Sequence, residues 1–522
     1  MKNRFRSRRR FLQTTALISA SAALSPLASI YRASAQDRNV PDEAVEALVL
    51  GSGFGGAITA LRLTQAGIRT LMIERGIRWP IRDDGNTFAT FQQIDGRAAW
   101  LSNTTWNGVP VDPFTGVLDF SQENGINILH GAGFGGGSLV YNAITYQPRR
   151  EIFSGIFSPD VVDYDELDAV YYPRVRSLLQ PASIPDDILA SPYYDRARLL
   201  IEQGNRAGFA TYPYNLAVDW NVIRQEIEGT KTPSAILGNH WYGINSGAKN
   251  SLDRNYLFQA EQTGLLDVLT LHLVTDITEV PEYGYRVLCT QIDTSGAVVA
   301  QKSFTCRYLF LAAGSIGTSK LLVRSKATGL LPKLNDEVGK HWGGNGDAIV
   351  TRSNLSPSVS GKGGPACVVL EHLDNPLGAT VLEDIPDANA ADGTLQLLAL
   401  GIPRQTGTFT YNASTDSVRL NWTPDNAQLD AVKLTAQILD EKNTTSTSNP
   451  TSEFINSISG HPLGGATLGK ACDRYGRVAG YKRLYVMDGA MIPGYTAITN
   501  PSFTIAALAE RNIEKIIAED LG

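Results

Sequence analysis

Two stretches of this sequence carry residue types that could do chemistry. Residues 458–469, ISGHPLGGATLG, hold His461, one of only six histidines in the chain. It follows a Ser-Gly pair and precedes Pro462, with Gly464 and Gly465 just behind. An imidazole accepts a proton near neutral pH with little help, and the glycines leave backbone room beside it. A lone histidine reads equally as a core side chain satisfied by carbonyls, and this stretch leaves both readings open. The second stretch is residues 46–76, EALVLGSGFGGAITALRLTQAGIRTLMIERG. An apolar strand runs into Gly51-Ser52-Gly53-Phe54-Gly55-Gly56, a G-x-G-x-x-G turn. A helix follows, with Leu61 and Leu63 on one side, and then a strand that ends in Glu74. Each residue type has a physical task. Gly51 permits the tight turn, Gly53 lets a pyrophosphate approach the backbone, and Gly56 lets the helix pack on the strand. The helix N-terminus faces phosphate charge, and Glu74 can accept from ribose hydroxyls.

Other segments extend the nucleotide reading. Glu74 favours an unphosphorylated ribose, as in FAD or NAD. Residues 129–150, LHGAGFGGGSLVYNAITYQPRR, form a second glycine loop with no helix–strand–acid sequel. Such a loop suits a long cofactor passing over bare backbone, with Gly137 and Ser138 near it, and argues for FAD. Residues 306–325 repeat the strand–glycine–helix pattern. Residues 483–522 give a strand ending in Asp488-Gly489, a loop, and an amphipathic helix from about Ser502, with Asn500 and Pro501 at its mouth. Asn500 there is a helix N-cap, a ligand contact, or both.

These elements predict an α/β plus α+β protein: a Rossmann-like FAD-binding domain with an inserted substrate domain built on an antiparallel sheet. The boundaries read as 41–78 with 250–341 and 476–522 for the FAD domain, to which the 129–145 glycine loop contributes. The substrate domain takes 79–249 with 342–475. Residues 160–210 read as helical. Residues 345–425 read as strand-rich, with two alternating strands around a turn at 406–422.

The totals bound the function. A chain of 522 residues exceeds one hydrophobic core. Residues 1–35 hold seven cations and no acid, with SRRRFLQ before a short apolar run and a small-residue site after Ala35. That is the pattern of a twin-arginine signal peptide and predicts export. Without it the formal net charge moves from −6 to −13, which argues against a nucleic-acid partner. The four cysteines have no metal-ligand spacing, so neither a metal site nor an obligatory disulfide is expected. No later run is long enough to span a membrane.

The glycine turn at 51–56, GAGFGGGS, HPLGG and DGAMIPG…NP…ALAERN together resemble the glucose–methanol–choline (GMC) oxidoreductase family. Within it, NSLDRNYL, YLFLAAGSIGTSKLL and HPLGGATLGKACDRYGRVAGYKRLYVMDGAMIPG are similar to the bacterial sterol oxidases with non-covalent FAD. The resemblance runs through most of residues 45–522 in order. It implies that His461 takes part in removing the substrate hydroxyl proton. It implies that Asn500 contacts the flavin edge and the reacting oxygen, and that Glu383 moves a proton during double-bond isomerisation. Asp384 competes with Glu383, since both lie in LEDIPDANAADG. FAD contacts are implied at Phe54, Gly55, Glu74, Gly137, Val274 and Gly489, with Asn142, Ile144 and Asp488 beside them. There are departures. Tyr141-Asn142-Ala143-Ile144 replaces Asn-Gly-Gly-Met, Ser502 replaces an aromatic, and Val381 replaces an aromatic before Glu383.

The expected activity is an FAD-dependent alcohol oxidase acting on a 3β-hydroxysterol such as cholesterol, with O2 as acceptor. Its alternative is a dehydrogenase of the same family using another alcohol and acceptor. A flavoprotein without turnover is a rival from another class. A monomer is expected. Transient membrane-surface contact through mobile apolar loops around 86–114 is a further expectation, against an ordinary packed loop. Covalent flavin attachment through His130 is an alternative that ILHGAG leaves open.

Overall fold

The computed structural model describes residues 42–521. The signal-peptide reading of residues 1–35 therefore lies outside the described residues.

The strands, in chain order, are β1 (Asp42–Leu50), β2 (Thr70–Ile73), β3 (Leu118–Glu123), β4 (Ile126–Gly131), β5 (Ala210–Pro213), β6 (Leu266–Leu269), β7 (His272–Val280), β8 (Gly284–Ile292), β9 (Val298–Leu311), β10 (Asp347–Ser353), β11 (Val368–His372), β12 (Thr380–Ile385), β13 (Leu395–Gly401), β14 (Thr408–Asn412), β15 (Ser417–Asn421), β16 (Thr451–Ile455), β17 (Ile458–Ser459) and β18 (Leu484–Val486). The longer helices are α1 (Phe54–Gln65), α2 (Asp195–Arg206), α3 (Gly314–Ala327), α4 (Asn426–Lys442) and α5 (Pro501–Ile516).

One sheet runs β6-β2-β1-β9-β8-β7, with β18 also on β9. Strands β6, β2, β1, β9 and β18 are parallel to their neighbours, and β7 and β8 are antiparallel additions. The apolar run Ala47–Leu50 is buried because it lies inside this sheet, and α1 crosses over from β1 to β2. Helix α5 packs on α1. Glu510, fully buried, takes a bidentate grip from Arg62 at 2.7 Å on each oxygen and a further bond from the Tyr256 hydroxyl at 3.0 Å. The sequence predicts an amphipathic α5, and the structure corrects this. Glu510, Arg511 and Asn512 are all buried, because each finds a partner inside the protein: Glu510 as above, Arg511 at Glu166 and two carbonyls.

The second sheet, β16-β10-β13-β12-β11-β5, is antiparallel throughout. Its pleat sorts residues between two faces. Arg352, Leu382 and Asp384 point toward α2 and α4. Arg352 is fully buried and held by Asp440 on α4 and Gln203 on α2, both at 2.8 Å. Asp347, Ile349, Val381 and Glu383 point the other way, in rows with Leu398 and Leu400 of β13. Strands β14 and β15 form the hairpin expected at 406–422, and β17, β4 and β3 make a small third sheet.

In the segment 86–114, Phe88 stacks on Trp79 at 5.3 Å, and Phe88 and Trp100 are buried. The segment is a loop packed through these groups, while Phe91, Ile94, Trp106 and Phe114 are half-buried. All four cysteines are buried and unpaired. No helix among the described residues is long and apolar enough to cross a membrane, and none of their His, Cys, Asp and Glu side chains gather to hold a metal.

Candidate active site

The nucleotide turn is built by contacts too close for any side chain. Gly51 has φ +98°, and a Cβ there would lie 2.3 Å from the Ala312 carbonyl. A Cβ on Gly56 would sit 2.0 Å from the Gly51 carbonyl, and one on Gly55 would sit 1.8 Å from that of Met487. These glycines let α1 seat against β1 and against the chain that follows β18 at Met487. Gly53 and Gly137 differ, because added Cβ atoms there would meet nothing within 4 Å. Both glycine loops nonetheless touch, since a Cβ on Gly136 would lie 2.7 Å from the Gly53 Cα. No side chain caps α1, so its first-turn N–H groups are left for a ligand or water.

Glu74 closes this cradle. Its Oε2 accepts from the Ser52 hydroxyl at 2.6 Å and the Ser52 N–H at 3.2 Å, and its Oε1 accepts from the Gly76 N–H at 2.8 Å. Ser52 Oγ in turn accepts from the Gly135 N–H at 3.0 Å, so this one hydroxyl ties both glycine loops to the acid. Sequence reasoning passed over Ser52, which occupies a variable place in the motif. Ser138 is committed to the fold: its hydroxyl donates to Gly135 O and accepts from Leu252 N–H. Asp488 likewise turns inward, accepting from Ala490 N–H and the Thr318 hydroxyl, and burial pushes its carboxyl up to about 6. That leaves backbone at Gly489 as the contact the segment offers. Val274 stands on β7, whose first residue, His272, donates its N–H to the Glu74 carbonyl. Phe54 meets Tyr141 edge-on at 5.6 Å. Ala143 is buried with φ +62°, a strained conformation between Asn142 and the buried Ile144. Beneath Tyr141 lies Lys249, donating to the Leu139 carbonyl, its ammonium held down to about 7 by burial.

The proton-handling groups come from three remote segments. The HPLGG stretch is stitched in place at Leu463, which exchanges backbone bonds with Gly343, and at Gly464, whose N–H reaches the Gly489 carbonyl. His461 thereby stands over the second sheet with its Nδ1 2.9 Å from Asp347 Oδ1. Asn500 occupies the N-cap position of α5, yet its side chain makes no cap. Its amide instead donates to Glu383 Oε2 at 3.0 Å. Glu383 Oε1 and Asn500 Oδ1 are buried with no partner in the protein. Asp384, the competing candidate, faces away: its carboxylate accepts from Cys367 and Val368 N–H and pairs with Arg196.

Burial raises the Glu383 carboxyl to about 7, against the opposing pull of the Asn500 hydrogen bond and the His461 charge. For His461, burial alone depresses the imidazolium. The charge and hydrogen bond of Asp347, with the charge of Glu383, outweigh it, so its pKa lies above the ordinary value. The ring nitrogens of His130 meet Arg75 and Ser121, and burial brings it down to about 4.

The donor set fits a flavin dinucleotide. Open backbone at Gly53 and Gly137 beside an uncapped helix suits a pyrophosphate, Glu74 suits a ribose, and the orphaned oxygens on Glu383 and Asn500 suit a polar ligand group. A family model described as GMC oxidoreductase matches residues 403–509. The match is confined to that C-terminal segment, and with the relatives below it makes this protein an oxidoreductase acting on alcohol groups. Among curated proteins, it is 27% identical to a cholesterol oxidase of Mycobacterium tuberculosis (strain ATCC 25618 / H37Rv), over 89% of this chain and 90% of that one. It is 25% identical to a cholesterol oxidase of Acinetobacter baumannii, over 90% and 94%. Among solved structures, pyridoxine 4-oxidase from Mesorbium loti shares the fold, with TM-score 0.62 and 15% identity over 91% of this chain and 99% of that one.

Proposed function

We propose that this protein is an exported FAD-dependent alcohol oxidase whose substrate is a 3β-hydroxysterol such as cholesterol, with O2 as acceptor. The Rossmann-like reading of the first sheet and the division into FAD and substrate domains belong to the same proposal. One observation carries it: an imidazole and a carboxyl raised by burial, with orphaned oxygens, sit on a sheet face beside the apolar side chains of Ile349, Val369, Val381, Leu398 and Leu400. Apolar walls with few polar groups suit a rigid hydrocarbon bearing one hydroxyl.

Gly53, Gly137, Glu74 and the α1 N-terminus would hold the dinucleotide, and the flavin, when bound, supplies a hydride acceptor. The chain's own residues do the rest. The sheet face and Asn500 orient the alcohol. His461, in its neutral form, takes the hydroxyl proton as the carbon–hydrogen bond breaks. Glu383, poised near neutrality, removes the proton beside the new carbonyl and returns it at the far end of the shifted double bond, giving the 4-en-3-one.

The deciding experiment is the visible spectrum of purified protein, then anaerobic mixing with a panel of sterols and short alcohols, then peroxide assay under air. Bleaching by sterols with peroxide release supports the proposal. Bleaching by other alcohols only, or turnover only with a dye, supports the second reading, a dehydrogenase with another acceptor. Tyr141-Asn142-Ala143-Ile144 beside the glycine loop favours keeping that reading.

A further inference from the structure

The residues that would act on the alcohol arrive on separate loops, and one short segment reaches both. Residues 343–347, Gly-Gly-Asn-Gly-Asp, lead into β10. At its end Asp347 is almost fully buried. Its Oδ2 accepts from the Ser459 hydroxyl at 2.9 Å and the Gly460 N–H at 3.1 Å, and its Oδ1 accepts from His461 Nδ1 at 2.9 Å. Ser459 Oγ also accepts from the His461 N–H at 3.0 Å. One carboxylate thus holds both the backbone and the ring of the Ser459–His461 turn.

Two residues earlier, Asn345 does the same for the other loop. It is fully buried. Its Oδ1 accepts from the Thr496 N–H at 2.8 Å and the Thr496 hydroxyl at 3.0 Å, and its Nδ2 donates to the Thr499 carbonyl at 2.9 Å. Thr499 immediately precedes Asn500. Ala497 and Ile498 in that loop have φ +54° and +56°, and Asn345 itself has φ +61°. Conformations this costly for residues with a Cβ persist only where the surroundings impose them. The glycines between are equally constrained. A Cβ on Gly343 would lie 2.5 Å from the Gly494 carbonyl, and one on Gly346, with φ +71°, would lie 2.0 Å from that of Gly401.

We infer that Gly343–Asp347 is a positioning element: Asp347 fixes His461 as the Nδ1–H tautomer with Nε2 left for the substrate, and Asn345 holds the loop that delivers Asn500, so that the two groups are set as one unit. The inference rests on the proposed alcohol oxidation. The charged groups facing His461 are Asp347 on β10 and Glu383 on β12, and Asp347 is the one bonded to the ring. Removing the Asp347 charge while keeping an acceptor, as in Asp347→Asn, therefore lowers the pH at which the imidazole becomes a base.

The test uses the flavin-loaded enzyme and the variants Asp347→Asn, Asp347→Ala, Asn345→Ala and the double alanine, mixed anaerobically with cholesterol. We expect Asp347→Ala to slow flavin bleaching about 100-fold with KM nearly unchanged. Asp347→Asn should retain more of the rate and move the acid limb of the pH profile to lower pH. The double variant should lose little more than the worse single, as parts of one unit do. Wild-type limbs and rates in both Asp347 variants, or losses that multiply as if independent, overturn the inference. A readout free of turnover accompanies it: 15N-histidine spectra, with the His461 signals identified by their loss in His461→Gln. Above its pKa, His461 should be the Nδ1–H tautomer in wild type and a mixture in Asp347→Ala. A wild type that no alcohol bleaches defeats the proposed function, whereas unchanged tautomers in Asp347→Ala defeat this inference.

Discussion

Gly53 and Gly56 stand three residues apart in one motif, and the structure separates their tasks. Gly53 has φ −69° and ψ −170°, which alanine adopts without strain, and its added methyl would meet no protein atom. Gly53→Ala should therefore leave the protein without flavin as stable as wild type. The methyl would instead occupy the opening beside the uncapped α1 N-terminus. If it displaces a phosphate from two N–H donors, each worth about 1.5–3 kcal/mol to a charged acceptor, binding loses roughly 3–6 kcal/mol. That is about 10²- to 10⁴-fold in Kd. Gly56→Ala acts on the fold, because its methyl would lie 2.0 Å from the Gly51 carbonyl. Helix α1 must shift, at about 1–3 kcal/mol for overpacking or more. Urea unfolding of both apoproteins, with titration of FAD by fluorescence quenching, reads the two effects apart. Wild-type FAD affinity in Gly53→Ala would refute the cradle, and an undisturbed unfolding midpoint in Gly56→Ala would refute the packing argument.

Replacing His461 by Gln should preserve flavin content and slow anaerobic bleaching by about 10²- to 10⁴-fold, the usual yield of a positioned base; stopped-flow absorbance measures it. Glu383→Gln should still oxidise cholesterol but release the 5-en-3-one, seen by product chromatography. The same change removes a negative charge from beside His461, so the acid limb of its pH profile moves to lower pH. Because the folded Glu383 keeps its proton to about 7 while an unfolded glutamate releases it near 4.5, its contribution to stability falls as pH rises between those values. Denaturant midpoints across pH should show that decline, and a flatter profile in Glu383→Gln. Arg62→Met leaves the buried Glu510 carboxylate with only Arg174 at 3.6 Å and the Tyr256 hydroxyl, and should cost stability, though less than the roughly 3–5 kcal/mol of a fully unpaired buried charge, read from the urea midpoint.

The strand–glycine turn–helix–strand unit ending in Glu74 was legible in the sequence because its parts are contiguous. Strand, glycine turn, helix, strand and Glu74 follow each other within about thirty residues, and their periodicities and steric demands are local. The motifs around His461 and Asn500 marked both as candidates. Other features depended on contacts between distant residues. Glu383 and Asp384 are neighbours in sequence, and only the pleat of β12 sends one to Asn500 and the other to Arg196. The N-cap position of Asn500 was visible, but its side chain turning to Glu383, 117 residues away, was not. Asp347 lies 114 residues from the imidazole it holds, and nothing in its own neighbourhood marks it. Helix α5 read as amphipathic because its charges fall on one side, and the structure buries two of them, Glu510 and Arg511, against partners contributed by α1 and by residue 166, leaving Glu514 exposed. Local sequence thus determined the glycine-rich turn and the side-chain types of the candidate site. Which of them meet, and in what state of charge, was decided by tertiary packing, because hydrogen bonds and burial act between residues that the chain itself holds far apart.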